Sequence, residues 1–171
     1  MEPTLEPLET FPGIANGALD RLYLHQTGVP HTLPTVAAFE RGLRRMHRLY
    51  GRRYAVLFIG QLARNGVPEE AVRSRFVTIL REQSILPTAA ALAMLSSGLI
   101  GAIGRSVITG VLLAARLPLS VRVFGSLTDA VDDLTHEAGR EGITLPSRAL
   151  IEAGQAALRH RAEQALRNPF K

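Results

Sequence analysis

Short apolar runs that alternate with helical patterns are the feature that most constrains the fold of this chain. The run "RYAVLFIG" (53–60) ends in a glycine, and "TAAALAML" (88–95) leads directly into two serines. Runs of this length without polar alternation are typical of strands that are buried on both faces. Such strands need helices on each side, so the pattern predicts an α/β protein with a mostly parallel sheet.

The same reasoning predicts about four strands and five helices. Further apolar runs at 17–28 and 119–125 complete the set of strands. Apolar residues at helical spacing predict a first helix within 31–51, and Ser126 and Ser147 are typical first residues of two later ones. The other helices are expected at 67–83, 99–116, 126–139 and 147–167.

The chain is expected to form one domain with an addition at each end. Residues 1–16 carry three glutamates, three prolines and no basic residue, which indicates a flexible acidic leader rather than a secretory signal. Residues 17–139 are expected to form the α/β domain, and 146–171 a C-terminal helical extension with a basic tail. We expect the domain to fold without that extension.

Composition excludes several kinds of chemistry. The absence of cysteine rules out disulfides, thiolate catalysis and cysteine-based zinc sites, and it fits a cytoplasmic location. The net charge of +5 comes almost wholly from arginine, since Lys171 is the only lysine. Aromatic residues make up 5% of the chain and include no tryptophan, so stacking on nucleic-acid bases and specific nucleic-acid binding are not expected.

The basic run of the first helix is a candidate interaction surface. Arg41, Arg44, Arg45 and Arg48 flank or oppose its apolar stripe, as solvent-facing residues do. The alternative is that they bind an acidic protein partner or make peripheral contact with an anionic membrane surface.

Catalytic and metal-binding motifs are absent from the sequence. The five histidines show no metal-ligand spacing, and there is no GxSxG sequence for a hydrolase serine. His31, in a loop after a strand, is the one weak candidate for a site residue. We therefore expect no metal, no cofactor and no enzymatic activity.

The stretch "AMLSSGLIGAIGRS" (93–106) has four interpretations. A membrane span is disfavoured because Arg105 interrupts the apolar run. A dinucleotide-binding loop is also disfavoured, because the glycines of this stretch follow the spacing GxxGxxG and the fingerprint of such loops is GxGxxG. A strand-to-helix corner in which Ser96 or Ser97 caps the helix explains the same residues. The alternative is a switch, because a phosphate on Ser96 would lie at a helix N-terminus, which favours anions.

Residues 17–139 resemble the SpoIIAA-like, or STAS/SEC14-like, branch of the STAS superfamily. The most specific segment is "SVRVFGSLTDAVDDL", in which 121–124 match the last strand, and Ala130 and Leu134 match the helix after it. Asp133 stands where the family often has tryptophan. The segment "LSSGL" (95–99) is similar to the switch corner of anti-sigma-factor antagonists, with Ser96 in the switch position.

This resemblance implies a STAS-like layered α/β fold and a bacterial, non-catalytic regulatory module that binds a protein partner or forms a homo-oligomer. Leu150, Ile151, Leu158 and Leu166 of the C-terminal helix are the candidate contacts. The SEC14-like side of the resemblance implies an alternative function, binding of a lipid-like ligand in an apolar pocket. Small residues at 89–104 would leave room for that ligand beside the sheet.

Overall fold

A computed structural model describes residues 3–61, 68–96, 98–116 and 121–168 of the 171-residue chain. The strands are β1 (Glu6–Phe11), β2 (Ile14–Leu19), β3 (Leu22–Thr27), β4 (Ala55–Gly60), β5 (Ala89–Met94) and β6 (Val121–Phe124). The helices are α1 (Leu33–Tyr50), α2 (Glu70–Arg81), α3 (Gly98–Ala115), α4 (Leu127–Arg140) and α5 (Arg148–Arg167), with a 3₁₀ turn at Gln83–Ile85.

The six strands form a single mixed sheet in which spatial order follows chain order. β1, β2 and β3 are antiparallel, and β3 to β6 are parallel. α1, α2 and α3 connect the parallel strands and lie on one face, while α4 and α5 cover the other. The predictions of an α/β fold and a mostly parallel sheet are confirmed.

Strand β4 shows why both faces need helices. Ala55, Leu57 and Ile59 are buried in the core beneath α4 and α5, whereas Val56 and Phe58 contact the core beneath α1 and α2. Successive side chains of a strand point to opposite faces, so an unbroken apolar run supplies two cores at once.

The expected number of strands was wrong: four were expected and the described residues contain six, because residues 6–11 form a strand and the run 17–28 spans parts of two, β2 and β3. β2 and β3 form a hairpin in which Leu19 pairs with Leu22, and only Asp20 and Arg21 lie between them. Asp20 has a φ of 51°, in the left-handed region that tight turns often need. Two-residue hairpin turns usually have the sequence Asn-Gly or Asp-Gly. This turn contains no glycine, so the sequence pattern did not indicate it.

The prediction of a flexible acidic leader at 1–16 is also wrong, because residues 6–11 form the edge strand β1. Glu9 accepts two hydrogen bonds from Arg41, at 2.9 and 2.6 Å, and Glu6 pairs with Arg45 at 2.6 Å. Pro7 is tolerated because an edge strand leaves one row of backbone groups unpaired. The acidic residues therefore tie the start of the chain to α1.

Helix α5 is part of the core rather than a separable extension. Ile151, Leu158 and Ala162 are buried in the same cluster as β2, β3 and β4. The helix approaches the sheet closely at Gly154, where a Cβ would come within 3.2 Å of the Leu24 side chain. Burial of α5 in this core is an argument against our expectation that the domain folds without 146–171.

The predicted helix starts at two serines are confirmed. The Ser126 hydroxyl accepts a hydrogen bond from the Asp129 amide at 3.1 Å, and Ser147 accepts one from the Leu150 amide at 3.4 Å. Each satisfies an amide that the helix leaves without an intrahelical partner.

Residues 93–106, for which a membrane span was one interpretation, include the end of β5 and the start of α3. Among the helices of the described ranges, none is both long enough and apolar enough to cross a membrane.

Replacing Leu158 with alanine should lower the free energy of unfolding by about 2–5 kcal/mol, because it leaves a cavity between α5 and β2. Leu158 is fully buried in that interface. Arg159→Ala, at the exposed neighbouring position, should change it by less than about 0.5 kcal/mol. Urea denaturation measures both. Equal effects would mean that α5 does not belong to the core.

Candidate functional site

A cavity of about 160 Å³ lies between the sheet and the helices α2 and α3. Its floor consists of apolar side chains from β4, β5 and β6, namely Val56, Phe58, Ala90, Leu92, Met94 and Val121. Its opposite wall comes from the two helices, namely Phe76, Leu80, Val107, Ile108, Val111 and Leu112. The lining is almost entirely hydrocarbon.

The cavity exists because α3 stands away from the sheet. On the opposite face α4 packs directly on β5, and it makes many more contacts with that strand than α3 does. Ala90, which forms part of the floor, has too short a side chain to fill the remaining space. Of the small residues that the sequence places at 89–104, Ala90 is the one on β5 that leaves room on this face of the sheet.

Aromatic rings close one end of the cavity. The His31 ring lies edge-on to Phe76 with centroids 5.0 Å apart, and it stacks on His25 at 5.0 Å. Phe58 contacts both histidines, with its ring centroid 4.5 Å from that of His25 and 5.7 Å from that of His31. Phe39 completes the cluster at 5.0 Å from His25.

The two histidines belong to a buried chain of hydrogen bonds. His25 Nδ1 donates to the Asn16 amide oxygen at 2.5 Å, which leaves His25 Nε2 as an acceptor. His31 Nε2 lies 3.3 Å from it and supplies the proton. His31 Nδ1 is 3.2 Å from the Thr35 hydroxyl, whose single proton is shared with the Thr32 carbonyl at 2.9 Å.

Burial keeps this pair uncharged at neutral pH. It lowers the pKa of His31 to about 4. It also holds the pKa of His25 well below its usual value, and the neighbouring His31 adds to that effect. An imidazolium in this apolar setting would lose its hydration without gaining a carboxylate. Within the described part of the chain, no third metal-binding side chain joins the two histidines.

Arg73 is the one charged side chain among the described residues that line the cavity. It is half-buried on the first turns of α2, and its Nη1 donates to the Pro68 carbonyl at 2.7 Å. The cavity surface is almost wholly apolar, so Arg73 lines it with the carbon atoms of its side chain rather than with its guanidinium.

The arginines proposed as an interaction surface are mostly engaged within the chain. Arg41 and Arg45 pair with β1, and Arg44 pairs with Glu40 at 2.9 Å and Glu82 at 2.6 Å. The fourth, Arg48, is exposed.

The candidates on α5 are not one surface either. Ile151 and Leu158 are buried beneath it, Leu150 is half-buried, and Leu166 is 52% exposed. Because α1 and α5 lie on opposite faces of the sheet, the structure does not bring the two candidate sets together.

The remaining sequence candidates have mixed outcomes. His31 does lie in the cavity wall. Ser96 is half-buried just before α3, and Ser97 lies outside the described residues. Sequence reasoning missed His25, Phe76 and Arg73. Phe76 lies at helical spacing from other apolar residues in the helix expected at 67–83, which indicates only a core position, and nothing local signals the other two.

Comparison of this chain with protein-family models, curated proteins and solved structures finds no match.

Lowering the pH from about 6.5 to about 4 should destabilise the fold through the buried histidines. In this window the unfolded chain, with ordinary histidine pKa values near 6.5, binds protons that the folded chain excludes. The free energy of unfolding should therefore fall as the pH falls. The pKa of about 4 for His31 corresponds to about 3 kcal/mol over this window.

Replacing His31 with leucine should remove most of its share of this pH dependence, as measured by urea denaturation between pH 4 and 7. His136→Leu on the exposed side of α4 is the control. An unchanged pH slope in His31→Leu would contradict the assignment of His31 as a buried neutral imidazole.

Proposed function

We propose that this protein binds a small apolar molecule in the cavity beneath α3. The observation that carries the proposal is a hydrocarbon-lined space between the sheet and two helices. Concave sites lined mostly by apolar side chains are typical of proteins that bind small molecules.

The volume limits the size of the ligand. An engineered protein cavity of about 150 Å³ accepts benzene, whereas drug-sized ligands occupy about 300–1,000 Å³. A space of about 160 Å³ therefore fits one ring or a chain of about six carbons. This narrows the lipid-like alternative of the sequence analysis to a much smaller molecule than a two-chain lipid.

The expected affinity is modest. Burial of about six methylene groups at about 0.8 kcal/mol each contributes about 5 kcal/mol. That free energy corresponds to a Kd of about 0.1–1 mM for a ligand held by apolar contact alone. Tighter binding would require a polar interaction in addition.

The function that the STAS resemblance implies, a regulatory module that binds a protein partner or a second copy, stays a prediction. It is supported by the placement of 121–124 in the last strand and by the burial of Ala130 and Leu134 in the helix that follows. Phosphorylation of Ser96 and the absence of catalysis are likewise predictions. No described contact favours them over ligand binding.

Replacing Ala90 with leucine should abolish binding of benzene or toluene without unfolding the protein. The added carbons would occupy the cavity floor, where Ala90 leaves room. Ala157→Leu, the same change at an exposed position on α5, should leave binding intact. Titration followed by methyl-resolved NMR or calorimetry measures both. Undiminished binding in a folded Ala90→Leu variant would exclude this cavity as the site.

A further inference from the structure

A group of four arginines, which we call the basic corner, lies at the end of the sheet where the parallel strands begin. The connection from α1 to β4 supplies Arg48, Arg52 and Arg53, and all three are exposed. The fourth is Arg21, in the turn between β2 and β3, whose Nη1 donates to the Arg53 carbonyl at 3.3 Å. This hydrogen bond brings the two turns together, so their charges share one corner of the molecule.

The basic corner differs from the side of α1, where arginines pair with carboxylates. Within the described ranges, no ion pair joins any of its four members to an acid. The Arg21 guanidinium lies 5.1 Å from the centroid of the Tyr50 ring, and Arg53 Nη2 donates to the Gly142 carbonyl at 3.0 Å. The C-terminus of α1 favours a cation at Arg48 but does not account for the others.

Two exposed acids adjoin these contacts in the sequence. They are Asp20, next to Arg21, and Glu141, next to Gly142. Two negative charges do not balance four positive ones, so the basic corner keeps a net positive charge.

An apolar side chain stands beside these charges. Leu49 is 58% exposed, and it follows Arg48 directly in the last turn of α1. Gly51, with a φ of 59°, then ends the helix and leads into the next two arginines. An exposed leucine alone is common, but here it forms an apolar tip with basic residues on both sides in the chain.

The C-terminus of α3 repeats this arrangement at the same end of the sheet. Both α1 and α3 connect parallel neighbours, so each ends where the next strand begins. Leu113 in the last turn of α3 is 73% exposed, and Arg116 after it is exposed as well. The Ala114 carbonyl accepts a hydrogen bond from Arg81 of α2 at 2.9 Å, which ties the ends of these two helices together.

Exposed leucines next to unpaired arginines favour a lipid surface over other anionic partners. Arginines are attracted to anionic headgroups, while apolar side chains enter the boundary with the acyl chains. A nucleic acid would pair with the arginines and leave the leucines in water. The core of a protein interface is a continuous apolar patch, whereas Leu49 and Leu113 stand on separate helices.

We propose that this end of the molecule docks on an anionic membrane surface. Leu49 enters the boundary between headgroups and acyl chains, and the arginines of the basic corner pair with lipid phosphates. This inference goes beyond the proposed function and does not depend on the cavity.

Sedimentation of the full chain with vesicles tests the role of charge. It should bind phosphatidylcholine vesicles that contain about 30% phosphatidylserine, but not phosphatidylcholine alone, and higher salt should weaken the binding. Replacing both Arg52 and Arg53 with glutamine should weaken it about 25-fold, because each arginine near an anionic surface contributes about fivefold.

The matched control is the pair Arg161→Gln and Arg167→Gln on α5. Both arginines are exposed, and the Ala162 carbonyl between them accepts from the Gly13 amide at the opposite end of the sheet. This control should bind like the unmodified chain. Thermal unfolding of each variant shows that the fold is intact.

Insertion of Leu49 can be followed with a single tryptophan, because the chain has none of its own. On anionic vesicles the fluorescence of Leu49→Trp should shift to shorter wavelength, and brominated acyl chains should quench it. Leu33→Trp should show neither effect, since Leu33 is 50% exposed at the start of α1, at the other end of the sheet.

Three results would overturn the inference. They are no binding of the full chain to anionic vesicles, equal weakening in the α5 control, and an unshifted Leu49→Trp in a chain that binds. Binding to polyglutamate without binding to either vesicle would also overturn it, and would indicate an acidic protein partner instead.

Discussion

The burial of β5 between two layers of helices is the constraint on which the rest of the structure depends. Its odd-numbered alanines, Ala89, Ala91 and Ala93, let α4 approach the sheet closely on one face. On the other face Ala90 is equally short, but α3 rests on α2 and does not close the gap. One alanine-rich strand therefore produces a dense core on one side and a cavity on the other.

Charge pairing explains why a strongly basic helix does not present a free cationic surface. The arginines of α1 find their counterions on β1 and α1 and after α2. Exposed ion pairs of this kind contribute little stability, about 0–1 kcal/mol each. Backbone pairing with β2 and packing of Leu5 and Leu8 account for more of the attachment of β1, and the ion pairs select where it docks.

The parts of the fold that the sequence predicts are those coded by local pattern. Unbroken apolar runs identified β4 and β5, and serines marked the starts of α4 and α5. Strand β1 was not predicted, because its glutamates and prolines are typical of a flexible leader. Its docking depends on residues such as Arg41 that are distant in the chain. The residues around the cavity were harder to predict from the sequence. His25 lies inside a strand, and Arg73 has the sequence pattern of any solvent-facing arginine on a helix. The cavity depends on how far α3 stands from β5, which no local pattern encodes.

The position of α5 has a consequence for how the chain reaches its fold. The buried amide of Gln155 donates to the side chain of Gln26 at 2.8 Å, across 129 positions of sequence. During synthesis the leucines of β2 and β3 beneath α5 emerge from the ribosome long before their cover does. The apolar side chains of β2 and β3 on this face therefore stay uncovered until α5 has been synthesised. Contacts between segments so distant in the sequence form late, because the chain between them must first be made and then closed into a loop.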